Sequence, residues 1–224
     1  YHVVSWTDSL FNPSFGYRFL HMALASFLTA ALVVAGVSAW FVIQKREFEA
    51  NRKALSIALW FLLILAPAQA VIGDFHGINT LEHQPTKVAA MEGNWETSKG
   101  VPLLLFAIPD QENQTNLFEV KIPKLASYVL THDWDGEVPG LKDVPVEEQP
   151  PVFIVFWSFR IMVALGLLMI AFAVWGLFLR INGRYYQSLY FLNGLRLMSL
   201  SPFIAVLAGW VVTEVGRAPW LIYG

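Results

Sequence analysis

Four apolar runs constrain this chain more than anything else in it. Residues 17–43 read YRFLHMALASFLTAALVVAGVSAWFVI, and residues 54–73 read ALSIALWFLLILAPAQAVIG. Residues 152–179 contain VFWSFRIMVALGLLMIAFAVWGLF, and residues 189–215 read LYFLNGLRLMSLSPFIAVLAGWVVTEV. A helix crosses the hydrocarbon layer in about 20 residues, and each run reaches that length. Composition agrees: 56% of residues are hydrophobic and 14% charged, against roughly a quarter charged in soluble domains. The expected fold class is all-α, a polytopic transmembrane helix bundle of four spans. Pro67 and Pro202 are expected to kink their helices, which a bundle tolerates. Ala23, Ala25, Ala30, Gly36 and Gly166 offer small faces for close helix packing.

The connections fix an orientation. QKREFEANRK joins the first two spans and RINGRYYQ the last two. Both are short and rich in Arg and Lys, so the positive-inside rule puts both in the cytoplasm. The segment between spans two and three, 74–151, then lies outside. It is acidic, with Glu82, Glu92, Glu96, Asp110 and Glu112, and far longer than a usual connection. Aromatics and the patterned runs VPLLLFAIPD and LFEVKIP point to a folded outer lid. The chain therefore divides into a first helix pair (1–73), an extracytoplasmic loop (74–151) and a second helix pair (152–224). It opens at Tyr1 and closes on APWLIYG, and is read as an internal piece of a longer protein.

A net charge of −2 with no dense basic patch gives no footprint for nucleic acid. The absence of cysteine excludes disulfides, thiol catalysis and cysteine-ligated clusters within this chain. No phosphate-binding loop, nucleophile elbow or HExxH pattern occurs.

Chemistry therefore rests on the few ionisable residues in or near the spans, each costing about 2.5–3.5 kcal/mol at mid-bilayer on insertion scales. His21 shares a helix face with Arg18 about one turn inside the outer end of span one. A lone neutral histidine in a bundle is most often a hydrogen-bonded packing residue; the alternative is a haem ligand. Met162 alone reads as gap filler. It lies, however, two or three turns inside the outer end of its own span, at a depth matching His21, which suits a haem held by a His/Met pair. Arg160 then suits the propionates of that haem, the alternative being snorkelling to the headgroups. Glu214 and Arg217, at i and i+3, read either as an interfacial ion pair framed by Trp210 and Trp220 or as a carboxylate haem ligand with its propionate partner. Lys87 and Glu92 are solvated surface charges or groups that bind a polar headgroup, with Glu92 able to accept a hydroxyl proton.

The segments YRFLHMALASF, KVAAMEGNWET, FAIPDQENQTNLFEVKIP, SFRIMVALG and AGWVVTEVGRAPW occur in the order they take in cytochrome bd-type ubiquinol oxidase subunit I. The chain resembles that family over essentially its whole length, with a short outer loop, called the Q-loop in the family. The resemblance implies a quinol oxidase with O2 as acceptor, located in the bacterial cytoplasmic (inner) membrane with the Q-loop on the periplasmic side. It implies His21 and Met162 as axial iron ligands of haem b558, with Arg160 beside it. It implies Glu214 as the iron ligand of haem b595, with Arg217 in the GRxPW motif, and Lys87 and Glu92 as quinol-site residues. Haem d, or a further haem b, belongs to the full-length protein; its ligand helix is expected outside this chain. The implied partners are ubiquinol or menaquinol, a second oxidase subunit, small accessory subunits and the lipid membrane. Ala218 departs from the family's usual Gln in GRQPW. Two rivals remain: a non-catalytic membrane cytochrome b, and a haem-free transporter or scaffold bundle.

Overall fold

A computed structural model describes residues 5–220. In chain order, the elements are α1 (Trp6–Leu10), α2 (Phe15–Ile43), α3 (Phe48–His83), α4 (Pro85–Glu92), β1 (Ser98–Lys99), β2 (Leu103–Asp110) and β3 (Thr115–Ile122). They continue with α5 (Leu125–Thr131), β4 (Glu137–Val138), two 3-10 turns, α6 (Val152–Ile181), α7 (Leu189–Met198) and α8 (Ser201–Val215). Four helical segments, Phe15–Ile43, Phe48–His83, Val146–Ile181 and Leu189–Val215, are long and apolar enough to cross a membrane. The membrane part is an all-α polytopic bundle, as expected.

The described residues gather into two compact units. One holds Asp74–Ile161 with residues up to Tyr17 and from Leu207 onward; the other holds Arg18–Gly73 and Met162–Val206. In the second unit, α2 buries Leu28, Leu32, Ala35, Ala39 and Val42, and α3 buries Leu55, Leu59, Leu62 and Ala66. These steps alternate four and three residues, the spacing of a seam between helices packed at a shallow angle. Phe191, Leu192 and Leu195 of α7, with Met169 and Ala173 of α6, complete this core.

Two details differ from the hydropathy reading. α3 does not stop near Gly73 but runs to His83. The polar stretch after Gly73 contains no proline, and its side chains bond back into the helix: Thr80 Oγ1 donates to His76 O at 2.7 Å, and His83 Nδ1 lies 2.9 Å from Asn79 O. Pro85 ends it, because the preceding Gln84 is forced out of the helical region. The fourth span is two helices. Pro202 sits in the first turn of α8, where its missing N–H costs nothing, and α7 stops at Met198 just before it. Pro67, by contrast, is carried inside α3 without interruption.

The first unit holds the segment between the second and third spans. The two patterned runs seen in the sequence pair as an antiparallel hairpin, β2 with β3, and β1 pairs with β4. Asp110 opens the hairpin turn by accepting from the backbone of Glu112 and Asn113. The Asn113 side chain also donates to it, which holds the Asp110 carboxyl below its ordinary range. Small clusters fill the unit, the largest joining Ala89, Ala90 and Met91 of α4 to Trp95, Leu141, Val152, Val155 and Val212.

Of the small residues noted in the sequence, Gly36 marks a close approach: a Cβ there would lie 2.5 Å from Ser199 Cβ and 3.0 Å from Leu195 O. Gly166 meets nothing within 4 Å. In the full-length protein, Gly36→Ala should lose about 1–3 kcal/mol through overpacking, while Gly166→Ala should hold or raise Tm through helix propensity. Thermal unfolding in detergent followed by circular dichroism separates the two.

Candidate functional site

α4 positions the first candidate residues. Proline at its start is already set for a helical turn, and Gly93 closes it in the left-handed region at φ 67. Gly93 is required twice over, since a Cβ would also come within 3.2 Å of the Phe156 ring. Lys87 and Glu92 are both buried, at 6% and 5% exposure. They stand five residues apart, about 140° around the helix, and therefore face different surroundings.

Glu92 meets Arg160 of α6. Arg160 Nη2 donates to Glu92 Oε2 at 2.8 Å, and Arg160 Nε donates to Leu104 O of β2 at 2.6 Å. The guanidinium also lies 4.6 Å from the Phe156 ring centroid and 5.4 Å from that of Phe159. One cation thus ties together α4, β2 and α6. Arg suits this place because its planar fork serves several acceptors at once.

Beside the pair lies an open cleft of about 550 Å³, within the ~300–1,000 Å³ typical of small-molecule sites. Glu92, Trp95, Asn116, Glu119, Lys121 and Lys142 are among its lining residues. Asn116 braces the wall: it accepts from Trp95 Nε1 at 3.0 Å and donates to Gly93 O at 2.9 Å. Lys142 donates to Glu96 at 2.9 Å, which holds the Glu96 carboxyl below its ordinary range. Oε2 of Glu92 is the oxygen bound by Arg160, and Glu92 is also a lining residue of the cleft.

Lys87 does not line this cleft. Its stem packs over Gly216, where a Cβ would come 3.1 Å from Lys87 Cγ. That glycine lies inside the motif holding Glu214 and Arg217, which form an ion pair with each other at the end of α8. Both side chains are 38% exposed, and Trp210 and Trp220 stand exposed on either side in sequence.

His21 and Met162 both fall in the second unit. His21 Nε2 lies 3.1 Å from the Gln69 side-chain amide. Its ring rests over Gly73, where a Cβ would come 3.3 Å from His21 Cε1. Met162 is half-buried on α6. An imidazole and a thioether, carried on two helices of one unit, are donor types that suit haem iron. Among the described residues, no cluster of three or more His, Cys, Asp or Glu is placed to hold a bare metal ion; a haem asks for axial donors only.

Several contributors were not singled out in the sequence. Gln69 carried a signal, being a polar residue inside an apolar span, four residues before the glycine under the same histidine. Asn116 and the Leu104 carbonyl carried none, because their roles depend on contacts distant in sequence. The long-range pairing of Glu92 with Arg160 was likewise invisible, although each residue was marked separately.

Breaking one side of a buried ion pair leaves the other charge uncompensated, at about 3–5 kcal/mol. Arg160→Met in the full-length protein should therefore lower Tm markedly, and adding Glu92→Gln should restore part of the loss. Strictly additive losses in the two-variant thermal unfolding cycle would contradict the pairing.

Comparison with known proteins bears on this arrangement. The model of the family described as cytochrome bd terminal oxidase subunit I matches residues 1–224. The chain is 34% identical to cytochrome bd ubiquinol oxidase subunit 1 of Bacillus subtilis (strain 168), over 95% of this chain and 48% of that protein. It is 28% identical to cytochrome bd-II ubiquinol oxidase subunit 1 of Escherichia coli (strain K12), over 98% of this chain and 56% of that protein. The latter alignment extends over 287 residues, so the Escherichia coli protein carries insertions relative to this chain. Among solved structures, the bd oxidase from Geobacillus thermodenitrificans superposes with a TM-score of 0.87 at 31% identity, covering 97% of this chain and 50% of that one. The chain spans about half the length of the relatives it matches. With the match extending from the first residue to the last and the fold shared, the chain belongs to the cytochrome bd terminal oxidase subunit I family.

Proposed function

We propose that this chain is the quinol-oxidising half of a respiratory quinol:O2 oxidoreductase. The observation that carries the reading is the buried Glu92 carboxylate, fixed by Arg160 and standing on the wall of an open cleft. A quinol must lose two protons as it gives up its electrons. Glu92 accepts a hydroxyl proton through Oε1 while Arg160 fixes the carboxylate through Oε2. The polar rim, with Asn116 and Lys142 among its members, orients the ring hydroxyls and leads protons outward. Lys87 supports the site from the other side of α4, where its stem is held by Gly216.

His21 and Met162 would hold the iron of haem b558 and Glu214 that of haem b595, with Arg217 as the cation beside the latter. Arg160, whose guanidinium has donors beyond the two used for Glu92 and Leu104, would be the arginine associated with haem b558. When bound, the haems supply the one-electron redox chemistry that the side chains lack. Gln69 and Gly73 set the ring position of His21. The onward acceptor, haem d or a further haem b, is assigned to the part of the subunit outside this chain, as is docking of the second oxidase subunit and accessory subunits. Ubiquinol and menaquinol both fit the proposed chemistry. The loop 74–151 is the quinol-binding segment on the periplasmic side, with the helix pairs 1–73 and 152–224 in the inner membrane.

Glu92→Gln in the full-length oxidase should lower quinol-dependent O2 consumption by about 10²-fold or more, the scale of a lost general base. Its haems should still be reduced by dithionite. Equal loss with both donors would contradict a role in quinol oxidation. Met162→Ala should abolish the low-spin b-type absorption in the reduced spectrum. An unchanged spectrum would remove Met162 from the ligand set.

A further inference from the structure

The hairpin of β2 and β3 packs Leu104 and Ala107 inward against Phe156, sets Asn116, Glu119 and Lys121 along the cleft, and turns a further apolar face outward. Residues paired across an antiparallel ladder share a face. Leu104 pairs with Lys121 and Pro109 with Asn116. Leu104, Asn116 and Lys121, together with Glu119, line the cleft. The alternate pairs, Phe106 with Val120 and Ile108 with Leu117, project to the other side. Phe118 joins them at an irregular position with φ 54. Phe118 is 76% exposed and Val120 54%, and no charged residue belongs to these pairs. A two-sided antiparallel sheet against water normally packs its apolar face and presents the polar one. A contiguous exposed apolar face marks an interaction surface.

The contacts of the hairpin with α6 say what covers that face. Gln111, in the hairpin turn, donates to Pro150 O and accepts from the Val152 N–H, both at 3.2 Å. Phe106 packs edge-on against Trp157 at 5.1 Å, and Leu104 O is bound by Arg160. From turn to base, the hairpin therefore runs beside residues 150–160, the outer turns of a membrane-spanning helix. α6 has 30 residues, about 45 Å of helix, which matches the ~40–45 Å of a bilayer including its headgroup layers. Its outer turns thus cross the interfacial layer, and the hairpin lies at that depth. Phe153 and Ile154 on the same turns are exposed as well, so the apolar face continues from strand to helix.

The geometry points to a membrane-embedded hairpin: the Phe106–Val120 and Ile108–Leu117 face, with Phe118, lies against lipid in the outer interfacial layer while the opposite face forms the cleft wall. The polar turn at Asp110, Glu112 and Asn113 remains toward water. This inference does not depend on the haem or quinol assignments.

The test uses the full-length oxidase with its other subunits, in nanodiscs, carrying no other reachable thiol. This chain contributes no cysteine of its own. A bimane fluorophore is attached in turn to Phe118→Cys, Val120→Cys and, as the opposite-face reference, Glu119→Cys. Retained haem absorption confirms that each labelled protein is folded. Nitroxide lipids labelled near the headgroup should quench positions 118 and 120 severalfold more than aqueous iodide does, with the order reversed at 119. Stronger quenching by iodide at 118 and 120 would overturn the inference by placing the face in water. Protection from both quenchers would overturn it by placing the face against protein. Agreement of 118 with 120 guards against a local disturbance by either label.

Discussion

The ion pair between Arg160 and Glu92 organises the unit that holds α4, the hairpin and the first turns of α6. An arginine on a membrane helix is tolerated only where its charge meets an acceptor or reaches water. Here the acceptors are a carboxylate at the end of α4 and a carbonyl at the base of the hairpin. Because the guanidinium is shared, neither α4 nor β2 can shift against the outer turns of α6 without losing a charged hydrogen bond. The cleft wall inherits that rigidity. A buried pair of this kind adds little net stability over apolar side chains of the same volume. Its value lies in fixing where the carboxylate stands.

The two units are held by different means. The second relies on a continuous seam of Leu, Ala and Val along α2 and α3, closed by α7. The first has several small clusters rather than one large core, and side-chain bonds to backbone do much of the joining. Gln149 donates to Leu141 O and Val144 O, Ser127 bridges Val101 N and Gly136 O, and Thr97 pairs with Asp143. Such directional bonds suit a segment that must carry a polar cleft, since each buried polar group needs a partner.

How much of this was legible in the sequence follows from the range of the interactions involved. The four spans were readable because bilayer thickness imposes a length and a composition on contiguous residues. The break before Pro202 was signalled by the residue itself. The extension of α3 to His83 was not, because a polar helix outside the membrane leaves no hydropathy mark. VPLLLFAIPD and LFEVKIP showed themselves as patterned runs, yet which face of the hairpin turned inward depended on pairing and on the irregular position at Phe118. His21, Met162, Arg160, Glu92 and Glu214 were all marked by chemical type. That Arg160 serves Glu92, and that Lys87 turns away toward Gly216, needed the fold.

The sequence distance across the central pair has a consequence for how the protein is made. Glu92 precedes its cation by 68 residues. At ordinary synthesis rates that separation amounts to several seconds or more. During this interval the newly made segment carries its carboxylate without the counter-charge. Synthesis of α6 supplies the guanidinium that pairs with the waiting carboxylate. Maturation of the outer segment is thus tied to insertion of the third span. A delay in that insertion leaves the Glu92 carboxylate without the guanidinium that fixes it.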